Sequence, residues 1–145
     1  MDEGEIVSLI NEYIDRRLSG PELELELQSL IAKYNEYKGS YLFVYAAAVG
    51  KPIPSVSLEE PDYYIFRDFL SKKENLENVD VYIETPGGSG ETAEEIGRFL
   101  HDKFKSVSFV ISGEAKSAGT IIALSGDEIL MTESGWALWH YSMAL

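Results

Sequence analysis

The stretch that decides the fold is VDVYIETPGGSGETAEEIGRFLHDKFKSVSFVI, residues 79–111. The apolar and polar residues of 79–84 alternate as in a strand, and the glycine-rich segment 85–90 predicts a turn. Apolar residues at helical spacing over 91–105 predict a helix, and 107–111 predict a second buried strand. Strand, helix and strand at this spacing indicate two parallel strands joined by a right-handed crossover.

The same alternation continues on both sides of this stretch. Downstream, residues 117–125 predict a short apolar helix and 128–131 a third strand. Upstream, the apolar run 41–49 predicts a buried strand or a short buried helix, and a proline-containing loop over 50–61 follows it. Asp62 is the expected cap of a helix that ends near residue 71. The sequence therefore predicts an α/β protein with a mostly parallel sheet.

Residues 1–38 are predicted to form a separate helical segment, before a core domain at 39–145. One amphipathic helix covers 4–18, and a second starts at Pro21 after the break at Ser19-Gly20. Apolar side chains lie on one face of the second helix, although residues 22–27 also alternate like a strand. These side chains are Leu23, Leu27, Leu30, Ile31 and Tyr34. We expect a hairpin whose apolar face serves packing or self-association, with substrate recognition as the alternative.

Composition excludes several kinds of function. The chain has 145 residues, 25 acidic against 12 basic side chains, and a formal net charge of −13. Nucleic-acid binding needs clustered cations, so we expect no nucleic-acid partner. The absence of cysteine excludes thiol catalysis and thiolate metal sites. The acidic N-terminus and the short apolar runs predict a cytoplasmic protein without membrane association. No metal-ligand set or cofactor motif is present, so we expect neither metal nor cofactor.

Two motifs carry the candidate chemistry. Ser117 lies between small residues at a predicted strand-to-helix junction, where a substrate carbonyl can approach and backbone N–H groups are unpaired. Gly87-Gly88 follows a predicted strand and can adopt backbone angles closed to other residues. Each motif has an ordinary alternative, because a serine there can be a helix N-cap and Pro86-Gly87-Gly88 a simple βα turn.

Together, residues 80–88, the helix after them, and the segment 115–124 followed by Asp127-Glu128-Ile129 resemble the Clp and signal-peptide-peptidase-A superfamily of serine proteases. Within it they are most similar to the serine dehydrogenase proteinase (SDH) branch, over about residues 79–135. The resemblance implies a ClpP/crotonase-like fold of stacked β-β-α units, peptide-bond hydrolysis through an acyl-enzyme, and homo-oligomers. It makes Ser117 the nucleophile, the N–H groups of Gly88 and Ala118 the oxyanion hole, and Gly87 and Gly119 residues of the turn and the substrate site.

The general base stays open. Clp-type proteases place a histidine about 25 positions after the serine, and His140 lies 23 positions after Ser117 (140 − 117 = 23). Its orienting aspartate would fall beyond Leu145, so the core is expected to be incomplete at its C-terminus, and His140 is either the base or a bystander. Lys116 is the other basic side chain beside the serine, but neighbouring side chains at a helix start diverge, so it is expected to be a solvated charge near the site mouth and not the base. His101 is expected to be solvated. Two alternatives to a peptidase remain: a noncatalytic or truncated assembly module, and a crotonase-type acyl-CoA enzyme.

Overall fold

The structure is a computed structural model that describes residues 11–49, 51–54 and 56–132. The chain forms two compact units, with the division between Lys38 and Gly39. Within the described residues, no helix has both the length and the apolarity that crossing a membrane requires.

The first unit is helical. Residues 11–16 form a helical segment, and α1 spans Gly20–Lys38. The two are linked at Glu26, whose Oε1 forms an ion pair with Arg16 at 3.5 Å and accepts a hydrogen bond from the Tyr13 hydroxyl at 3.1 Å. These two partners hold the pKa of the Glu26 carboxyl below its usual value. Of the residues predicted for its apolar face, Leu23, Leu27 and Leu30 are exposed and Ile31 and Tyr34 are partly buried, and no residue of α1 is fully buried.

The second unit is built on a four-stranded parallel sheet. Its strands are β1 (Tyr41–Ala46), β2 (Asn78–Glu84), β3 (Ser106–Ile111) and β4 (Glu128–Met131), and they lie side by side in that order. Phe43 is opposite Val81, which is opposite Phe109, and Phe109 is opposite Ile129. The prediction of an α/β protein with a parallel sheet is confirmed, and the apolar run at 41–49 resolves as a strand that ends at Ala46.

Three crossover helices connect consecutive strands: α2 (Glu60–Ser71), α3 (Gly90–Lys103) and α4 (Ala118–Leu124). The central helix α3 contacts both α2 and α4. A strand order that advances one position at each right-handed crossover puts all three helices on one face of the sheet. The predicted cap of α2 was wrong. Pro61 suits the first turn of a helix, so α2 starts earlier with Glu59 at the cap position, and Asp62 Oδ2 accepts from the Glu59 N–H at 2.8 Å.

The core lies between the sheet and this helix layer. Alternate residues of the two central strands are fully buried, as expected for side chains of one sheet face. They are Val79, Val81, Ile83, Val107, Phe109 and Ile111. Ile96 and Leu100 of α3 and Ile122 of α4 complete the same buried cluster. The glycine turn begins directly after β2, at Thr85, and the serine segment begins at Ala115, four residues after the end of β3.

Candidate active site

The two predicted motifs meet at the carboxyl edge of the sheet. Beyond the ends of β2 and β3 the parallel pairing continues at Thr85 and Ala115. The Thr85 N–H donates to the Glu114 carbonyl at 2.7 Å, and the Lys116 N–H donates to the Thr85 carbonyl at 3.2 Å. The carboxyl ends of parallel strands are where ligands bind in open α/β sheets. The sheet therefore brings the glycine turn and the serine segment to one place.

Gly87 is in direct contact with the serine. A Cβ added to Gly87 would lie 2.7 Å from Ser117 Cβ, 2.7 Å from the Lys116 carbonyl oxygen and 3.4 Å from the Ala118 nitrogen. Gly87 also has a φ of 100°, which glycine adopts without strain. Only a residue without a side chain fits between the turn and the backbone around Ser117.

Ser117 itself has an unusual backbone. It precedes α4 with φ 49° and ψ −117°, a combination that costs a non-glycine residue about 1–3 kcal/mol. Its side chain is exposed and makes no capping hydrogen bond to α4. Ser89, at the start of α3, shows what an ordinary cap looks like, with φ −66° and an Oγ that accepts from the Thr92 N–H. Ser117 therefore occupies the cap position of α4, but its hydroxyl does not cap the helix.

The two predicted oxyanion donors are the backbone N–H groups of Gly88 and Ala118. Gly88 comes directly after Gly87, and Ala118 comes directly after Ser117, the residue that Gly87 contacts. Within the part of the chain that the structure describes, neither the Gly88 N–H nor the Ala118 N–H donates a hydrogen bond. Ala118 is buried and Gly88 is exposed. Two N–H groups without a hydrogen-bond acceptor among the described residues are available to stabilise an anion that forms next to Ser117.

Three further residues support the site, and the sequence analysis did not single them out. Thr85 is fully buried, its Oγ1 accepts from the Gly87 N–H at 3.2 Å, and a Cβ on Gly119 would lie 2.5 Å from its methyl group. Thr120 Oγ1 donates to the Ala115 carbonyl at 2.7 Å. Leu58 donates its N–H to Gly87 and accepts from Ser89, which clamps Gly88 between them. The two threonines lie inside the motifs, whereas Leu58, in a predicted loop, gave no signal.

Replacing Thr85 with valine is expected to destabilise the protein by about 1–3 kcal/mol, because valine keeps the methyl group that packs on Gly119 but removes the acceptor of the buried Gly87 N–H. The measurement is the free energy of unfolding in urea. Thr85→Ser, which keeps the oxygen and loses the methyl group, is the matched control and is expected to retain the geometry of the turn. Equal unfolding energies for Thr85→Val and the wild type would show that this hydrogen bond does not hold the turn.

Of the basic side chains that the sequence analysis considered, the structure describes His101 and Lys116. His140 lies outside the described residues. His101 is exposed on α3, and one of its ring nitrogens is hydrogen-bonded to the Ser125 carbonyl, at the far end of α4 from Ser117. Lys116 is only partly exposed, and its Nζ lies 2.7 Å from Glu114 Oε1. The lysine beside the nucleophile is therefore an ion-pair partner and not the solvated charge that the sequence predicted.

Carboxylates gather next to the glycine turn. Glu59, Glu60, Glu91 and Glu95 line a cleft between the starts of α2 and α3, and Ser89, the residue after Gly88, lies in the same cleft. The described residues that line it include no lysine or arginine. A cleft with charges of one sign concentrates ligands of the opposite sign, so cationic groups are favoured here over phosphates.

The fold and this edge define an α/β protein with a parallel sheet and a strained serine directly before helix α4, in the connection that follows its third strand. No family model matches the chain. Over 86 residues it is 31% identical to the uncharacterized protein MJ1495 of Methanocaldococcus jannaschii, a match that covers 59% of this chain and 29% of that protein. The match thus spans less than a third of that relative, whose name assigns it no activity.

Proposed function

We propose that the protein is a serine peptidase with a ClpP/crotonase-like core, in which Ser117 attacks the carbonyl carbon of a peptide bond. The observation that carries this proposal is the conformation of Ser117. A non-glycine residue with φ 49° and ψ −117°, exposed and without a capping bond, stores strain that the fold has to offset elsewhere. Serine nucleophiles at sharp strand-to-helix turns have this kind of strained, exposed geometry.

The proposed reaction uses the groups around Ser117 in sequence. The base takes the proton of Ser117 Oγ as the bond from Oγ to the substrate carbonyl carbon forms. The N–H groups of Gly88 and Ala118 stabilise the resulting oxyanion, and Gly87 keeps the approach to Ser117 open. The C–N bond then breaks, the amine leaves with the proton, and water releases the acyl group in a second, similar step. His140, 23 positions after Ser117, is the proposed base.

The crotonase-type alternative predicts a site for coenzyme A, whose phosphates need cations. The cleft beside Gly88 is lined by four glutamates and, among the described residues, by no lysine or arginine, and Lys116, next to Ser117, is paired with Glu114. These charges favour a peptide over an acyl-CoA substrate. The noncatalytic alternative does not explain the strain at Ser117, because a structural serine at a helix start adopts ordinary cap geometry.

The experiment is a pre-steady-state assay with an activated ester, p-nitrophenyl acetate, on the whole chain, together with a fluorogenic peptide series. We expect a burst of about one p-nitrophenolate per chain, the sign of an acyl-enzyme, and no binding of coenzyme A by calorimetry. Coenzyme A binding without a burst would support the crotonase alternative. A protein with neither property, yet folded, would support the noncatalytic module.

A further inference from the structure

Helix α1 carries a coiled-coil seam. Leu23, Leu27, Leu30, Tyr34 and Tyr37 are separated by four, three, four and three residues, which is the alternation of the two core positions in a heptad repeat. Residues with this spacing fall on one narrow stripe of a helix and insert into the facing helix as knobs into holes. The spacing is more regular than packing against a globular core requires, since core-facing helices show a wider apolar face.

Four of the five residues of this stripe are exposed: Leu23 by 47%, Leu27 by 50%, Leu30 by 46% and Tyr37 by 88%. The fifth, Tyr34, is partly buried and interacts within the chain. The helical residues 11–16 contact α1 through Glu26, which lies at one flank of the stripe. The opposite flank carries Glu24, Ile31 and Lys38. A contiguous row of half-exposed leucines on one helix marks an interaction surface, because isolated apolar residues are the normal case on a protein surface.

We propose that α1 pairs in antiparallel orientation with α1 of a second copy of this chain. The flanking charges select both the partner and the orientation. In an antiparallel pair, matching flanks face each other, and Glu24 lies near Lys38 of the partner subunit. In a parallel pair, opposite flanks meet, and Lys33 would lie near Lys38 of the partner subunit. The helix thus attracts an inverted copy of itself and repels an aligned one.

The length of the seam predicts how tight this pairing is. Residues 23–37 extend over about 20 Å of helix at about 1.5 Å per residue. Short helices gain little stability alone, so pairing of this seam gives a reversible dimer that depends on protein concentration, not a permanent one. The inference stands independently of the reaction at Ser117.

The first test is sedimentation velocity of the whole chain over a wide concentration range, with two matched leucine variants. Leu27 lies in the seam, whereas Leu25, on the same helix and 66% exposed, lies outside it. Leu27→Lys places a charge in the seam of both subunits and is expected to weaken dimerisation by at least about a hundredfold. Leu25→Lys is expected to change the dimer constant by less than about threefold. Circular dichroism establishes that both variants keep their helix content.

The second test addresses orientation. Lys38→Glu places Glu24 and the new glutamate of the partner subunit side by side at both ends of an antiparallel pair, so we expect dimerisation to weaken by about fivefold. The exchange Glu24→Lys with Lys38→Glu is expected to restore it. Stronger dimerisation of Lys38→Glu would overturn the antiparallel arrangement. A chain that is monomeric at every concentration, or equal effects of Leu25→Lys and Leu27→Lys, would overturn the pairing itself. If Leu27→Lys lowers the unfolding temperature of such a monomer, the seam packs within its own chain.

Discussion

Replacing Gly87 with alanine is expected to abolish the reactivity of Ser117 while leaving the core folded. The added Cβ would lie 2.7 Å from both Ser117 Cβ and the Lys116 carbonyl oxygen, closer than real Cβ contacts allow. The atoms that it meets belong to the backbone or to the first side-chain atom, so no flexible group can move aside. The φ of 100° adds strain for any residue with a side chain. We expect a loss of about 2–4 kcal/mol in unfolding free energy and of at least about a hundredfold in acylation rate.

Gly90→Ala is the matched control for this variant. Gly90 lies three residues later, in the first turn of α3, and the nearest atom to an added Cβ is Ile121 Cδ1 at 4.0 Å. Alanine is the better helix former, so Gly90→Ala is expected to keep full reactivity and to stabilise the protein by up to about 1 kcal/mol. Urea unfolding and the ester burst measure the two effects. Equal reactivity of the two variants would show that the contact between Gly87 and Ser117 has no part in the chemistry.

Replacing Ser117 with glycine is expected to remove activity and raise stability at once. Glycine adopts φ 49° and ψ −117° without strain, so the variant recovers about 1–3 kcal/mol, less about 0.5–1 kcal/mol for the greater freedom of glycine in the unfolded chain. The hydroxyl loses no capping bond, because none is made. We therefore expect about 1 kcal/mol of net stabilisation by urea unfolding, with an ester burst that disappears.

Ser89→Gly is the matched comparison for Ser117→Gly. Ser89 stands at the same position of α3 but has ordinary backbone angles and accepts a hydrogen bond from the Thr92 N–H at 3.2 Å. Its replacement by glycine is expected to destabilise the protein by a few tenths of a kcal/mol. Opposite signs at the two helix starts would identify Ser117 as strained for function. Destabilisation at both would mean that Ser117 is a structural residue like Ser89.

Much of the fold follows from local pattern. The sequence from 79 to 131 predicts its three strands and two helices to within a few residues, because buried parallel strands are continuous apolar runs and glycine separates them from the helices. The run at 41–49 was open between strand and helix, since periodicity cannot separate the two in a short, fully apolar segment. Only pairing with β2, from Tyr41 opposite Val79 onward, decides it.

The sequence shows which residues are candidates for the site, but it does not show how they contact one another. The composition of residues 115–120 and of Gly87-Gly88 pointed to a nucleophile and a turn, but their contact depends on Thr85 pairing with Ala115, a long-range pairing that no local pattern encodes. Leu58 holds Gly88 in place through its own backbone N–H and carbonyl groups, so its residue type gives no signal in the sequence. The ion pair between Lys116 and Glu114 likewise depends on how the loop after β3 folds. The exposure of the α1 stripe could not be predicted either, because an apolar helix face has the same sequence pattern whether it packs on a core or binds a partner.

The central claim is that Ser117 is an activated nucleophile, and the most direct measurement is peptide mapping by mass spectrometry after treatment with a serine-directed fluorophosphonate. We predict one adduct per chain, located on Ser117, absent in Ser117→Ala and retained in Ser89→Ala, which changes a serine that is bonded as a cap. An adduct that persists unchanged in Ser117→Ala, or wild-type protein that remains unlabelled although folded, would contradict the account.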